Sequence, residues 1–154
     1  MMKLSDKGFQ KIVEREGLAL ESYLCIAGRW TIGIGHTHYV TKGMKITREQ
    51  AQKFFDEDML PVTDYLNYIN SKIPRRFQQH EFDALCSFIH QIGLDSFVKS
   101  TCLKKIRAGD TPEEIAKEFP KWSYFTDPKT KQKLWSDAIH NRHLSEKRQY
   151  INGY

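Results

Sequence analysis

An α+β fold, with a small β-containing lobe joined by a long helix to a larger helical lobe, is what the sequence predicts. Three observations carry this expectation. Residues 5–16 and much of the chain beyond residue 47 place apolar side chains at helical spacing. Between them, residues 18–43 change character, with Tyr, Trp, Thr, Ile and Val set among Gly28, Gly33, Gly35 and Gly43, the composition of short strands and tight turns. The length, 154 residues, suits one domain whose lobes share a core, without internal repeats or low-complexity tracts. The expected division is a small lobe over about residues 12–60 and a helical lobe over about 74–154 that also takes in the N-terminal helix.

The first helix is read over residues 5–16. Ser5 is its N-cap, Phe9, Ile12, Val13 and Glu16 fall at i, i+3, i+4 and i+7, and Gly17 stops it. Glu16 therefore lies on the apolar stripe in the last turn. Partial desolvation and the negative end of the helix dipole both disfavour its ionised form there, so a raised carboxyl pKa is expected, as a general acid requires. The ordinary alternative is a helix-end Glu held by an Arg or a backbone N–H. A small antiparallel sheet follows over 18–43. Helix resumes at Thr47, which with Gln50 forms a capping box, and carries Ala51, Phe54, Phe55, Asp58 and Met59. Pro61 is expected to break or kink it before Val62 to Ile73 continues.

Phe82, Leu85, Phe88, Ile89 and Ile92 mark a buried helix over 77–92, ended by Gly93. Two short helices are read next, from Ser100 to Arg107 and from Thr111 to about Phe119, the second with Thr111, Pro112 and Glu114 at N-cap, N1 and capping-box positions. The polar run Ser123 to Lys133 reads as a loop. Trp135 to Tyr150 reads as the last helix, with Arg142 and Glu146 an i,i+4 pair.

Charge and cysteine content narrow the function. Lys and Arg outnumber Asp and Glu 24 to 19, which suits either a hydrated surface or a polyanionic partner. A nucleic-acid partner is not expected, because no basic cluster or aromatic stacking platform accompanies the charge. Cys25, Cys86 and Cys102 are odd in number and far apart, against a disulfide framework or a zinc site, and fit synthesis in a reducing compartment. Cys86 and Cys102 sit among apolar helical neighbours and read as small core residues. His36 and His38 share a strand-like stretch, but with no third ligand in view no metal is expected. The N-terminus has no apolar leader segment and no stretch reaches the ~20 apolar residues of a spanning helix, so neither an export signal nor stable membrane insertion is expected. A cleft between two lobes is the natural binding site, and Glu16, Cys25 and Thr31 fall on one of its walls. A carboxylic acid facing a second group across such a gap points to glycoside cleavage.

The order Glu16-Gly17, Leu20, Tyr23, Cys25, Gly28, Thr31-Ile32-Gly33, Gly35-His36 resembles the phage-type lysozymes, the endolysins that cleave bacterial peptidoglycan. Ile46 to Ala51, Asp58, Ala84 to Gly93, Phe97, Ser100-Thr101, Gly109-Asp110, Trp122, Trp135 and Asn141 to Glu146 continue that resemblance in order along nearly the whole chain. It implies a lysozyme-like fold and a monomeric muramidase that cleaves the β-1,4 bond between N-acetylmuramic acid and N-acetylglucosamine without a cofactor. Glu16 takes the place of the general acid, and Thr31 that of the threonine holding the attacking water. Arg142 takes the place of an arginine that pairs with the acid and belongs to the substrate-binding set. Gln91 takes that of a substrate-binding polar residue on the cleft floor. His36 takes that of a structural, ion-paired histidine. The resemblance also implies synthesis in the bacterial host cytoplasm and release to the cell wall through a separate holin-type protein.

One seat departs from the pattern. Cys25 stands where the family has Asp, and three readings stay open: a thiolate base or nucleophile helped by nearby Arg29, a passive occupant, or a domain that only binds glycan. His143, in place of a second Arg, and His90, in place of an aromatic, are milder departures at the cleft edge.

Overall fold

The computed structural model describes residues 1–154. Helix α1 (Asp6–Glu16) starts where Ser5 Oγ accepts from Gly8 N and ends at Gly17. Its inner face carries Ile12, fully buried, and burial of a side chain of that size is worth about 1.5–3 kcal/mol. Strands β1 (Ala19–Leu24) and β2 (Trp30–Gly33) pair antiparallel, Tyr23 opposite Thr31 and Leu24 opposite Trp30, with a bulge between Ala19 and Tyr23. The turn between them is tight: Cys25 N donates to Arg29 O and Gly28 N to Cys25 O, each at 2.9 Å. The segment 44–46 runs along the free edge of β1 through Ser22 N to Met44 O and Ile46 N to Leu20 O, so the edge is partly covered.

Helix α2 (Arg48–Asn70) opens on the expected capping box, Gln50 N on Thr47 Oγ1 at 3.1 Å and Thr47 N on Gln50 Oε1 at 2.8 Å. It does not break at Pro61. The helix runs on because Pro61 and Glu57, whose carbonyl loses its usual donor, both face solvent while Met59 and Val62 keep the buried stripe unbroken. Helix α3 (Gln79–Ile92) is the axis of the helical lobe, every residue from Glu81 to Ile89 being buried. Around it pack α4 (Leu94–Val98), α5 (Thr101–Ala108), α6 (Pro112–Ala116), a 3-10 turn at Phe119–Trp122 and α7 (Asp137–Asn152). The shared core of 23 buried side chains includes Ile12, Ile34, Phe55 and Leu66 beside Phe82, Phe88 and Phe119, so helices and small sheet are sealed by one hydrophobic body. Cys86 and Cys102 lie inside it as expected.

Two sequence expectations are corrected. The polar run after Ser123 is a hairpin, β3 (Tyr124–Thr126) with β4 (Lys133–Trp135), and Trp135 closes a strand where the sequence predicts the start of the last helix. Asp127 makes the turn, its Oδ2 accepting from Thr130 N at 3.0 Å and Thr130 Oγ1 at 2.7 Å, while Tyr124 meets Trp135 edge-on across the strands. Ser136 then caps α7 through Ile139 N. The short helix α4, between Gly93 and Ser100, has no counterpart among the predicted elements.

Candidate active site

Glu16, Cys25, Thr31 and Gln91 all line one cleft of about 620 Å³ between the β1–β2 hairpin and the helical lobe. The end of α1 supplies Glu16, the β1–β2 turn Cys25, β2 Thr31 and the end of α3 Gln91. The opposite wall is Trp122 and the β3 strand, Tyr124 to Thr126. The two flanking segments touch at their tips: a Cβ on Gly28 would lie 2.8 Å from Pro128 Cβ.

Thr31 is buried, and its Oγ1 donates to Arg29 O at 3.0 Å. With its proton spent, the hydroxyl has only lone pairs to offer, so toward the cleft it is an acceptor for a water. Gln91 uses Oε1 to accept from the Arg142 guanidinium at 3.0 Å, which leaves its amide N–H groups as donors.

Arg142 lies behind the wall, outside the cleft lining, and each of its three guanidinium nitrogens donates to a protein acceptor. It pairs with Glu16 Oε1, bonds Gln91, donates to Ser87 O at 2.9 Å and meets Glu146 Oε2 at 3.2 Å. These contacts hold Arg142 between the Glu16 carboxylate and the Gln91 side chain on the cleft floor. Beneath it Glu146 is wholly buried and also accepts from Ser87 Oγ and, at 2.6 Å, from His143 Nδ1. Burial would raise the Glu146 carboxyl, but His143 and Arg142 outweigh it and hold the group below its ordinary value. The predicted Arg142–Glu146 pair thus exists, as part of a buried network.

Glu16 differs from its sequence expectation. Desolvation does push its pKa upward, but hydrogen bonds and charge from His90 and Arg142 reverse the shift and bring it from 4.5 to about 2. His90 Nε2 is 3.3 Å from Glu16 Oε2 and donates to Ile34 O at 2.9 Å. Both cations arrive from helices distant in sequence, which a local reading of α1 does not include. Gly35 completes the enclosure. It has φ +70°, and a Cβ there would overlap the Glu16 carboxylate and lie 3.0 Å from His90 Nε2.

His36 is ion-paired, Nδ1 to Asp58 Oδ2 at 2.7 Å, with its ring stacked on Phe54, and no cluster of three or more metal-ligating side chains is present.

A helical lobe against a two-stranded hairpin, with a half-buried Glu closing the first helix on their cleft, defines a lysozyme-type glycoside hydrolase. Comparison with known proteins agrees. The phage lysozyme family profile matches residues 13–146. The chain is 47% identical over 122 residues to the endolysin of Acyrthosiphon pisum secondary endosymbiont phage 1, covering 79% of this chain and 81% of that one. It is 36% identical over 111 residues to the endolysin of Salmonella phage P22, covering 69% and 74%. Among solved structures, an endolysin from Escherichia coli O157:H7 phage FAHEc1 superposes with TM-score 0.81 at 34% identity over 99% of this chain and 96% of that one. The muramidase domain of SpmX from Asticaccaulis excentricus superposes with TM-score 0.80 at 29% identity over 99% of both. The chain belongs to the phage lysozyme family.

Proposed function

We propose that this lysozyme is a muramidase that hydrolyses the β-1,4 bond between N-acetylmuramic acid and N-acetylglucosamine in bacterial peptidoglycan and so lyses the host cell. The observation that carries the reading is the convergence of Glu16, Cys25 and Thr31 on one cleft of a size to hold sugar rings. Glu16 protonates the leaving glycosidic oxygen, and Thr31 Oγ1 accepts from the attacking water on the other face of the ring. Cys25, exposed to the same space, occupies the seat from which a base or nucleophile acts. Gln91 offers its amide donors to the sugar. The basic surface attracts the anionic wall. No helix is long and apolar enough to cross a membrane. Release to the wall through a separate holin-type protein is what the family resemblance implies.

Turbidity of chloroform-treated Gram-negative cells, followed with the native protein and with Glu16→Gln, tests the assignment. Clearance by the native protein and at least a hundredfold slower clearance by the variant is the expected result. Equal, negligible rates for both would make the domain a binder of glycan and not a hydrolase.

A further inference from the structure

A general acid must carry a proton when the substrate arrives, yet Glu16 rests between two cationic side chains. Arg142 keeps its charge at every accessible pH, but His90 does not. The imidazole is almost fully enclosed, with a side-chain exposure of 6% against 14% for Glu16. From α1 it faces Glu16. From α7 it faces Arg142, whose charge opposes its own, and from α2 the edge of the uncharged Phe55 ring, 5.5 Å away. The end of β2 presents the Ile34 carbonyl. Tyr23 and Cys25 lie toward Glu16 on the cleft side and Glu146 and His143 lie behind Arg142, so Glu16 is the one carboxylate in contact with the imidazole.

We propose that His90 is a positioning residue that shares a single proton with Glu16, so that the pair, and not Glu16 alone, sets the pH range in which the acid works. The proposal rests on the reading of Glu16 as the general acid. Two arrangements of the pair hold the same number of protons: carboxylate with imidazolium, and carboxylic acid with neutral imidazole. Only the second can protonate a glycosidic oxygen. Nε2–H serves Ile34 O in both, so the proton that His90 gives up on neutralisation is that of Nδ1, and it reaches Glu16 by way of solvent. On bond cleavage the Glu16 proton leaves with the alcohol, the hydroxyl of the attacking water goes to the anomeric carbon, and the remaining water proton restores the pair. Burial by itself would lower His90, but the adjacent Glu16 carboxylate raises it above 6.5, as sharing requires.

Because the two one-proton forms interconvert without net uptake, their ratio does not change with pH while the pair holds one proton. The acid form is then a constant fraction below the titration of His90 and falls tenfold per unit above it. A glutamine at position 90 can still donate from a nitrogen placed like Nε2, but it cannot titrate. In His90→Gln, protonated Glu16 should grow continuously as pH falls.

The test is the ratio of initial lysis rates, His90→Gln over native, from pH 5 to 8 at fixed ionic strength and low enzyme. The ratio is expected to rise by about tenfold for each unit below the His90 titration, since each unit is one decade in protonated Glu16. A ratio that stays level overturns the proposal, because a histidine that merely held the carboxylate would change the rate and not its shape with pH. NMR titration of the labelled His90 ring, in the native protein and in Glu16→Gln, gives the second arm. Its midpoint should drop when the carboxylate is removed, and an unchanged midpoint also overturns the proposal. This arm requires no cleavage, so a native protein that lysed nothing would end the muramidase reading while the proton-sharing pair was still decided on its own.

Discussion

Replacing Glu146 by Gln removes one negative charge from a site that is entirely closed to water, with almost no change of volume. The native carboxylate is met there by Arg142, His143 and Ser87. The amide can accept through one oxygen only, and its NH2 group points donors at donors. Breaking one side of a buried ion pair costs about 3–5 kcal/mol, because the remaining charge is left without compensation. For a domain of this size each kcal/mol lowers Tm by roughly 2–4 °C, so a fall on the order of 10 °C is expected. The effect carries its own pH signature. The carboxyl is held below 4.5 in the folded protein, so its contribution is complete above that unfolded value and is lost as pH falls through the folded one. Urea unfolding of native and variant protein at pH 7 and at descending acid pH measures both effects. A difference below ~1 kcal/mol at pH 7, or one that does not shrink in acid, would refute the argument that this network holds Arg142 against Glu16.

Three further outcomes are expected. Gly35→Ala adds a Cβ at φ +70° into the Glu16 carboxylate, and should lower lysis by at least tenfold, on the order of 1–2 kcal/mol of strain and displacement; lysis at the native rate would contradict it. Tyr150→Phe removes a buried hydroxyl that has no hydrogen-bond partner, and should raise stability by about 1 kcal/mol in urea unfolding; a loss of that size would show that the hydroxyl is satisfied. Cys25→Asp should keep or raise lysis, while Cys25→Ala discriminates: native rates mean that the thiol is not a catalytic group. Alkylation of the folded protein can add to this series, since Cys86 and Cys102 are buried and only Cys25 reaches the cleft.

Local chemistry explains which elements the sequence predicts well. The caps at Ser5 and Thr47 work within one turn, and the period of Phe82, Leu85 and Ile89 reports a helix buried in its own register, so α1, the start of α2 and α3 are all legible. The β3–β4 hairpin is not. Its strands are three residues long and mostly exposed, and a cross-strand aromatic pair and one Asp turn hold them in place of an alternating apolar face. For a related reason Pro61 does not break α2, since the rule against proline inside a helix weakens where the freed carbonyl meets water. In the site, the motif spacing brings Glu16, Cys25 and Thr31 to one cleft, and burial of Glu16 follows from its stripe. What spacing cannot convey is the pairing of that carboxylate with His90 and Arg142, a product of how α3 and α7 pack. The one cue for His90 is a titratable residue at a position where the family resemblance leads one to expect an aromatic.

The meeting of Gly28 with Pro128 bears on how a polymer gets in. A strand in a cross-linked wall has no free end to thread, and entry from the side would be eased if the turn and the hairpin tip parted. A glycine and a proline touching at two exposed tips bury little apolar surface, and parting them costs correspondingly little. Their return over a seated chain would shut bulk water away from the acid at the moment when a dry surrounding strengthens every charge in the cleft. A contact this weak would both admit such a polymer on parting and enclose it on closing.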